Sequence, residues 1–295
     1  LSSTVGFGID ELDLETPRHY PMAYAFYARG FAAKGDLSRL DGALERLLLL
    51  QLAPGAWGLP LSWYGRVDEP YLITTVFALH ALLDGYESTG NECYLSAVED
   101  GVKWVVRRLG KHPCGCFKYS PRVNLVIFNP HIEFIGFLHR YLEHEDNPKL
   151  REVADEGLSY ALWQRRVGNR LIPYGRHSMR RFDFHTSYAF EGLHYSHVDI
   201  RDGWRLLMSL LMRGDGFMRK ELVKGLESRA WGYATHLYVG AMIGDTKYTP
   251  RILRYVRENL FSPSGEVYYR SDDHRVFVRH QAHMFYAMSL LGEEL

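Results

Sequence analysis

The chain has no excess of charge of either sign: 35 basic residues are matched by 35 acidic ones over 295 positions. That balance removes the global field by which a dedicated nucleic-acid binder concentrates its polymer, so no nucleic acid is expected as a partner. Long apolar runs are also missing. No window approaches the ~20 apolar residues of a membrane span, and Leu47 to Leu50 is only a short run, so no transmembrane segment and a cytoplasmic location are expected. The three cysteines are too few and odd in number for a complete disulfide framework. His112, Cys114 and Cys116 read as half a zinc site, but CxC is not the usual CxxC knuckle and further ligands at suitable spacing are absent. His280 and His283 could form a metal pair on one helical turn, yet no third ligand is evident. No metal and no other cofactor is expected. The first residue is Leu1, which points to a processed or trimmed start. No composition break divides the chain, and one domain spanning 1–295 is expected.

Aromatic residues are plentiful. They make up 14% of the chain, with 20 Tyr and 6 Trp, and aromatics with polar edges suit a lined cleft. Five helical stretches end in a short glycine and aromatic turn: Gly55-Ala56-Trp57-Gly58, Gly115-Cys116-Phe117-Lys118-Tyr119, Pro173-Tyr174-Gly175, Gly216-Phe217 and Gly265-Glu266-Val267-Tyr268-Tyr269. The aromatics Trp57, Phe117, Tyr174, Phe217 and Tyr268 are 60, 57, 43 and 51 residues apart, a period that fits one helical hairpin plus a generous loop. Self-similarity of this kind marks stacked or ring-closed equivalent units.

Segments with helical periodicity alternate between two kinds. Six are aromatic and small-residue rich on nearly all sides, which marks burial: Tyr20 to Ala33, Ile73 to Tyr86, Ile132 to Tyr141, Phe184 to Tyr195, Ala230 to Ile243 and Ala282 to Leu291. Five have a charged face: Leu37 to Leu50, Tyr94 to Leu109, Leu150 to Arg165, Ile200 to Leu211 and Tyr248 to Leu260. The pattern predicts an all-α (α/α)6 toroid with about 11 main helices, its outer layer incomplete. The missing outer helix predicts either cover from the segment 1–16 or self-association or a partner at that seam. Joints from inner to outer helices are short and rich in Gly, Asp and Asn, as helix caps require. Joints leading back are long. Loops beyond ~12–15 residues in a compact domain are usually functional, which directs attention to the N-termini of the inner helices.

Those entries supply Arg18 and His19; Thr74 and Thr75; Asn129 and His131; Asp183, His185 and Thr186; Ser228 and Arg229; and Arg279, His280, Gln281 and His283. Asp183 and His185 are the leading acid/base pair, with His131 and His280 as further catalytic candidates. Asp68, Glu69, Asp272, Asp273 and His274 lie in long loops at the same end and could complete the pair. The expected walls are Trp57, Trp63, Tyr64, Tyr119, Tyr174 and Tyr269, since sugar faces stack on aromatic rings. Asn129 and Gln281 suit hydroxyls, and Arg66, Arg176 and Arg279 suit carboxylate or phosphate. Simpler readings stand beside these: Asp183 as a helix cap, His185 bonded internally, and Glu133 and Glu191 as buried acids or as halves of ion pairs with Arg. His194-x-x-His197 falls at the tight-turn end and reads as structural.

The stretch Trp57 to Arg66, with Ile73 to Phe77 and Tyr86 to Gly90, is similar to six-hairpin toroid proteins of bacterial and archaeal polysaccharide biosynthesis clusters. Phe117 to Pro121 with Asn129, Phe182 to Thr186, and Arg279 through Ala287 are similar to later motifs there. The segment 201–229 looks shortened against that pattern, so the cleft is expected to be most open around Gly216 and Phe217. Phe182 to Thr186 also resembles the C-terminal toroid of glucuronyl C5-epimerases, which implies proton abstraction beside a uronate carboxylate held by an Arg. Gln51 to Trp57 fits the Q-x3-G-x-W repeat of terpene cyclases, but no Asp-rich DxDD initiator accompanies it. The expectation is a carbohydrate-active protein of glycan biosynthesis, acting on an oligosaccharide or polysaccharide as hydrolase, lyase or epimerase. The alternatives are a glycan-binding or scaffold protein without turnover and, last, an isoprenoid enzyme.

Overall fold

The computed structural model describes residues 20–59, 69–221 and 225–293. Among them eleven α-helices alternate between two layers. The inner helices are α1 (Pro21–Lys34), α3 (Leu72–Thr89), α5 (Phe128–Tyr141), α7 (Phe184–Tyr195), α9 (Ala230–Met242) and α11 (Val278–Leu291). The outer ones are α2 (Leu37–Leu49), α4 (Glu92–Lys103), α6 (Pro148–Val167), α8 (Arg201–Leu211) and α10 (Thr249–Asn259). A π-helical turn, Trp104–Leu109, continues α4. The two patterns in the sequence cause the two layers. In α3 every residue from Leu72 to Leu83 is buried, whereas α8 buries only Gly203, Trp204, Leu207, Met208 and Leu211, the single stripe of a surface helix.

Each inner helix packs on the next, and α11 closes the ring on α1. α5 and α7 approach each other closely: a Cβ on Gly136 would lie 2.2 Å from the carbonyl oxygen of Gly192. Short joints carry the expected caps: Asp36 accepts from Arg39 N, Asn91 from Cys93 N and Asn147 from Leu150 N. The result is an (α/α)6 toroid with five outer helices among the described residues. The α11–α1 seam carries half-buried Tyr27, Phe31 and Phe285, with Phe285 4.9 Å from Phe31 and 5.6 Å from Tyr27 between ring centroids. The segment 1–16, expected as a cover there, lies outside the described residues.

Helix starts differ from the sequence reading in two places. α5 begins at Phe128, ahead of Ile132, because Pro130 occupies a first-turn position where a missing N–H costs nothing. α11 begins at Val278, ahead of Ala282. Before it lies an unexpected antiparallel hairpin of β1 (Tyr268–Arg270) and β2 (Asp273–Val276).

Four of the long loops open with one small hairpin. Leu52 N, His112 N, Arg213 N and Ser262 N donate to the carbonyls of Ala56, Cys116, Phe217 and Glu266 at 2.9, 2.7, 2.8 and 2.8 Å. In each, the fourth residue is a glycine in the left-handed region: Gly55, Gly115, Gly216 and Gly265, with φ of 73, 89, 94 and 92°. Two residues later a side chain plugs the core: Trp57, Phe117, Met218 or Val267, none more than 1% exposed. The repeat is therefore real, but its recurring element is a left-handed glycine and a buried plug. Phe217 and Tyr268 stand one residue either side of plug positions.

Candidate active site

The inner helices also repeat in their first turn. The side chain three residues into the helix accepts the plug's backbone N–H: Thr75 Oγ1 from Trp57 at 3.1 Å, His131 Nδ1 from Phe117 at 3.3 Å, the Tyr233 hydroxyl from Met218 at 3.0 Å, and Gln281 Oε1 from Val267 at 2.9 Å. These polar entries hold the loops. A different position faces the axis. The second residue of all six inner helices, namely Met22, Ile73, Asn129, His185, Trp231 and Arg279, lines one cavity of about 90 Å3. Phe77, Tyr188 and His283 lie one turn deeper, and Leu59, Tyr119, Ile127 and Tyr174 come from the loops.

Asp183 caps α7 and also serves the cavity. Its Oδ1 accepts from His185 N at 2.9 Å and from His185 Nδ1 at 2.8 Å, and Oδ2 accepts from Arg181 Nε at 2.9 Å. Burial pushes this carboxyl up, but the His185 ring and Arg181 outweigh it and hold Asp183 below the usual carboxylate range. His185 itself is pushed down by burial, partly offset by Asp183. Because a carboxylate accepts the Nδ1 proton, the lone pair of the neutral ring is on Nε2.

His283 is oriented in the same way by a different acceptor. Its Nδ1 donates to the Arg279 carbonyl at 2.8 Å, which leaves Nε2 to accept the Tyr188 hydroxyl at 2.9 Å. Burial pushes His283 down to about 3, and the same burial raises the Tyr188 phenol. Phe26 stacks on the His283 ring at 3.7 Å and closes the floor. Two cavity atoms make no hydrogen bond within the protein, Asn129 Oδ1 and Trp231 Nε1. One is an acceptor and the other a donor, and leaving such buried groups unmatched costs ~1–3 kcal/mol each. Among the described residues no Asp or Glu lines the cavity.

The structure thus brings His185, Tyr119, Asn129, Tyr174 and Arg279 together, with Asp183 behind His185. The other expected residues that are described lie elsewhere. Trp57 is fully buried, its indole donating to the Leu47 carbonyl at 2.7 Å. His131 faces Phe117 and Tyr160, and Gln281 holds the Val267 peptide on both sides. His280 stacks on Tyr269 at 5.2 Å, one layer behind Trp231. Arg176 is exposed on a 3-10 turn. Trp63, Tyr64 and Arg66, with Arg18, His19 and Asp68, lie outside the described residues. Sequence reasoning passed over Tyr188 and Trp231, and took His283 as one of the polar helix entries and half of a metal pair without naming it a site residue. The helical stripe of the second residue and the ones three or four and seven further on was the available signal.

A larger, open depression of about 710 Å3 lies at the opposite end, lined in part by Glu87, Arg140, His144, His194 and His197. Several of its charged groups are paired among themselves or with adjacent residues: Arg140 with Asp84 at 2.6 Å, His144 with Glu87 at 3.0 Å and His197 with Glu143 at 3.4 Å. Size alone does not make it the reactive site. No described helix is long and apolar enough to cross a membrane.

No family model matches the chain, and no curated protein matches it by sequence. Solved structures share its fold. It is similar to cellobiose 2-epimerase from Bacillus thermoamylovorans B4167, with a TM-score of 0.72 and 12% identity over 97% of this chain and 92% of that one. It is also similar to a GH76 alpha-mannanase from Bacteroides thetaiotaomicron, with a TM-score of 0.69 and 9% identity over 98% and 94% of the two chains. An unsaturated glucuronyl hydrolase specific for heparin superposes with a TM-score of 0.68 and 10% identity over 91% and 85%. The shared fold is the (α/α)6 toroid of carbohydrate-active enzymes.

Proposed function

We propose that this protein is a carbohydrate-active enzyme that moves a proton at a carbon adjacent to a carbonyl or carboxylate of a sugar, as an epimerase or a lyase. The observation that carries the reading is the chemistry of the cavity lining. Its titratable groups, apart from the Arg279 guanidinium, are the imidazoles of His185 and His283 and the phenols of Tyr119, Tyr174 and Tyr188, without a carboxylate among the described residues. Glycoside hydrolysis ordinarily uses two carboxylates flanking the scissile bond. Proton transfer at carbon instead needs a neutral base of suitable basicity and a proton donor. Proteins that share the fold include a cellobiose 2-epimerase as well as hydrolases.

In this reading His185 Nε2 takes the carbon's proton while Asp183 holds the ring by Nδ1. The developing enolate oxygen is stabilised by the Arg279 guanidinium, with the charge placed before the reaction starts. The Tyr188 hydroxyl, bonded to His283, supplies a proton to the carbon in an epimerase or to the leaving oxygen in a lyase, and solvent exchange resets both groups. Tyr119, Tyr174 and Trp231 provide ring faces. The cavity holds roughly six to nine water-sized groups at ~10–15 Å3 each, enough for part of one sugar unit, so the rest of that unit and any longer glycan would extend through the mouth.

The test is incubation in D2O with a panel of reducing disaccharides and uronate-terminated oligosaccharides, read by NMR. An epimerase is expected to place deuterium at the carbon next to the carbonyl or carboxylate and a lyase to leave a carbon–carbon double bond there, with Asp183→Asn slowing either change by ~100-fold or more. Release of new reducing ends with neither deuterium incorporation nor a new carbon–carbon double bond would overturn the proposal in favour of hydrolysis. Binding without either change would favour a non-catalytic glycan receptor.

A further inference from the structure

The six helix positions that line the cavity change chemistry around the ring. On α5, α7, α9 and α11 they are Asn129, His185, Trp231 and Arg279, each with a polar group in its side chain. On the adjoining helices α1 and α3 they are Met22 and Ile73, and the loop leading to α3 adds Leu59. Phe77 continues this side one turn deeper, with the Phe26 ring 4.8 Å from its own. Met22, Leu59, Ile73 and Phe77 are each at most 7% exposed. None of the four side chains donates a hydrogen bond, and only the Met22 thioether accepts one, weakly. Among the described residues, two neighbouring inner helices thus give the cavity an apolar side and the other four a polar one.

The apolar side borders the groups that would move the proton. The Phe77 ring lies 5.1 Å from the Tyr188 ring, and that ring lies 6.2 Å from the imidazole of His185. A sugar carbon held between His185 and Tyr188 therefore has neighbours that meet Phe77 and the side chains above it. This side is also fixed in place. Gly58 pairs with Pro70, and Tyr71 N donates to the Trp57 carbonyl at 3.0 Å, so Leu59 is tied to the start of α3.

A sugar hydroxyl pressed against such side chains loses its water and gains no partner. The flat face of a sugar ring does not call for them either, because Tyr119, Tyr174 and Trp231 already offer ring surfaces. The branched ends of Leu59 and Ile73 and the flexible end of Met22 suit a methyl group instead. An acetamido methyl fits less well, since its N–H and C=O bring needs that these side chains do not meet. A hexose acquires a methyl end by losing the hydroxyl of C6. We propose that the substrate of this cavity is a 6-deoxyhexose, whose C6 methyl docks among Leu59, Ile73 and Phe77 while its oxygenated edge faces Asn129, His185 and Arg279. The inference rests on the reading of the cavity as a sugar site and adds the class of sugar. It also selects the activating group, because a C6 methyl excludes the C6 carboxylate of a uronate and leaves a carbonyl to acidify the carbon.

Ligand-observed NMR titration with matched pairs tests it: glucose and 6-deoxyglucose, galactose and D-fucose, mannose and D-rhamnose. The members of each pair differ by one oxygen atom, and N-acetylglucosamine is titrated beside them. In at least one pair the 6-deoxy member is expected to bind ~10–100-fold more tightly. Ile73→Thr and Met22→Gln, on different helices and with folding verified by circular dichroism, each put a polar group into the wall and should cut that preference by ~5-fold or more. Ile73→Val should keep most of it. Equal affinities in all three pairs, a preference that survives both polar variants, tighter binding of N-acetylglucosamine than of every 6-deoxy sugar, or no binding of any 6-deoxy sugar at millimolar concentration would overturn the proposal. The pairs decide on the parent protein even where a variant fails to fold. Failure here is distinguishable from failure of the proton-transfer reading. A 6-deoxy preference with neither deuterium exchange nor a new double bond sinks only the chemistry, and exchange without that preference sinks only the methyl site.

Discussion

The least expected feature of the axis lies below the cavity floor, and it makes a quantitative prediction. Arg29, 1% exposed, places Nη2 2.8 Å from Glu191 Oε1, and both side chains are fully buried. Glu133 is also fully buried; burial first, and then the neighbouring Glu191, push its carboxyl well above the ordinary value of 4.5. The sequence left open whether these glutamates were raised acids or ion-pair halves, and each turns out to be one of them. Because the folded protein keeps the Glu133 proton that the unfolded chain releases, this group's contribution is complete below pH ~4.5 and is lost as pH rises toward its folded pKa. The slope is about 1.4 kcal/mol per pH unit over that window. Glu133→Gln keeps the shape and removes the titration. It should lie within ~1 kcal/mol of the parent near pH ~4.5 and become progressively more stable than the parent as pH rises. Glu191→Gln is opposite in sign, since it removes a counterion from buried Arg29, a loss of up to ~3–5 kcal/mol. Asp84, 3.4 Å from Arg29 Nε, and an ionising Glu133 would soften that loss, so the double variant should cost more than the two singles added. Urea unfolding followed by circular dichroism from pH ~4.5 to pH ~8 measures all three. A stability difference between Glu133→Gln and the parent that stays flat with pH would refute the account of Glu133 as a buried acid that keeps its proton.

Other consequences concern packing and the loop layer. A Cβ on Gly192 would lie 2.3 Å from the Ile132 carbonyl oxygen, and backbone cannot yield as a side chain can; Gly192→Ala should therefore lower stability by ~3 kcal/mol or more. Gly42, in α2 with open space around its Cβ position, is the matched control, and Gly42→Ala should raise stability by up to ~1 kcal/mol; equal melting shifts for the two would contradict the close α5–α7 approach. Glu227 accepts from the amide and hydroxyl of Ser271, between β1 and β2, at 3.0 and 2.6 Å. Glu227→Gln presents an amide group to donors that now face a carboxylate, and hydrogen exchange in the β1–β2 hairpin should speed up by an amount equivalent to ~1–3 kcal/mol. Unchanged protection there would mean that Glu227 does not anchor the hairpin.

The layered fold was legible because burial leaves an unambiguous mark. A helix such as α3, apolar on every side, has only one place to go, and α8 with its single stripe has another. The site was legible only as a region. Polar residues at an inner-helix entry carry no label for direction, and two positions along an α-helix turn a side chain by ~200°. Asn129 therefore faces the axis while His131 faces its own loop, and Arg279 and Gln281 separate in the same way. The aromatic turns misled for a related reason. Trp57 and Phe117 have the composition of a sugar platform, but the left-handed glycine two residues earlier folds them inward as plugs. The same geometry places Met218 and Val267, which an aromatic search overlooks. Tyr188 was missed because a tyrosine in an apolar inner helix is indistinguishable from core until its partner, His283, is known from the other side of α9.

The axial stripe divides by depth, and the division explains how a cavity can be held open in a closed ring. Its uppermost positions line the cavity, the next level provides the floor through Phe26, Phe77 and His283, and the third holds Arg29 with its partners. That third level joins five of the six inner helices: Arg29 of α1, Asp84 of α3, Glu133 and Arg140 of α5, Glu191 and Tyr195 of α7, and Tyr286 of α11. Such a cluster adds little net stability, because the desolvation of its charges offsets their attraction. Its effect is on position. Hydrogen bonds and ion pairs fix helix rotation about the axis more narrowly than apolar contacts, and a rotation of α7 or α11 by one residue's angle would turn His185 or Arg279 out of the cavity. The rigidity that a reactive constellation requires is in this account supplied from below, by buried charge at the centre of the ring, and the long loops are left to shape the mouth.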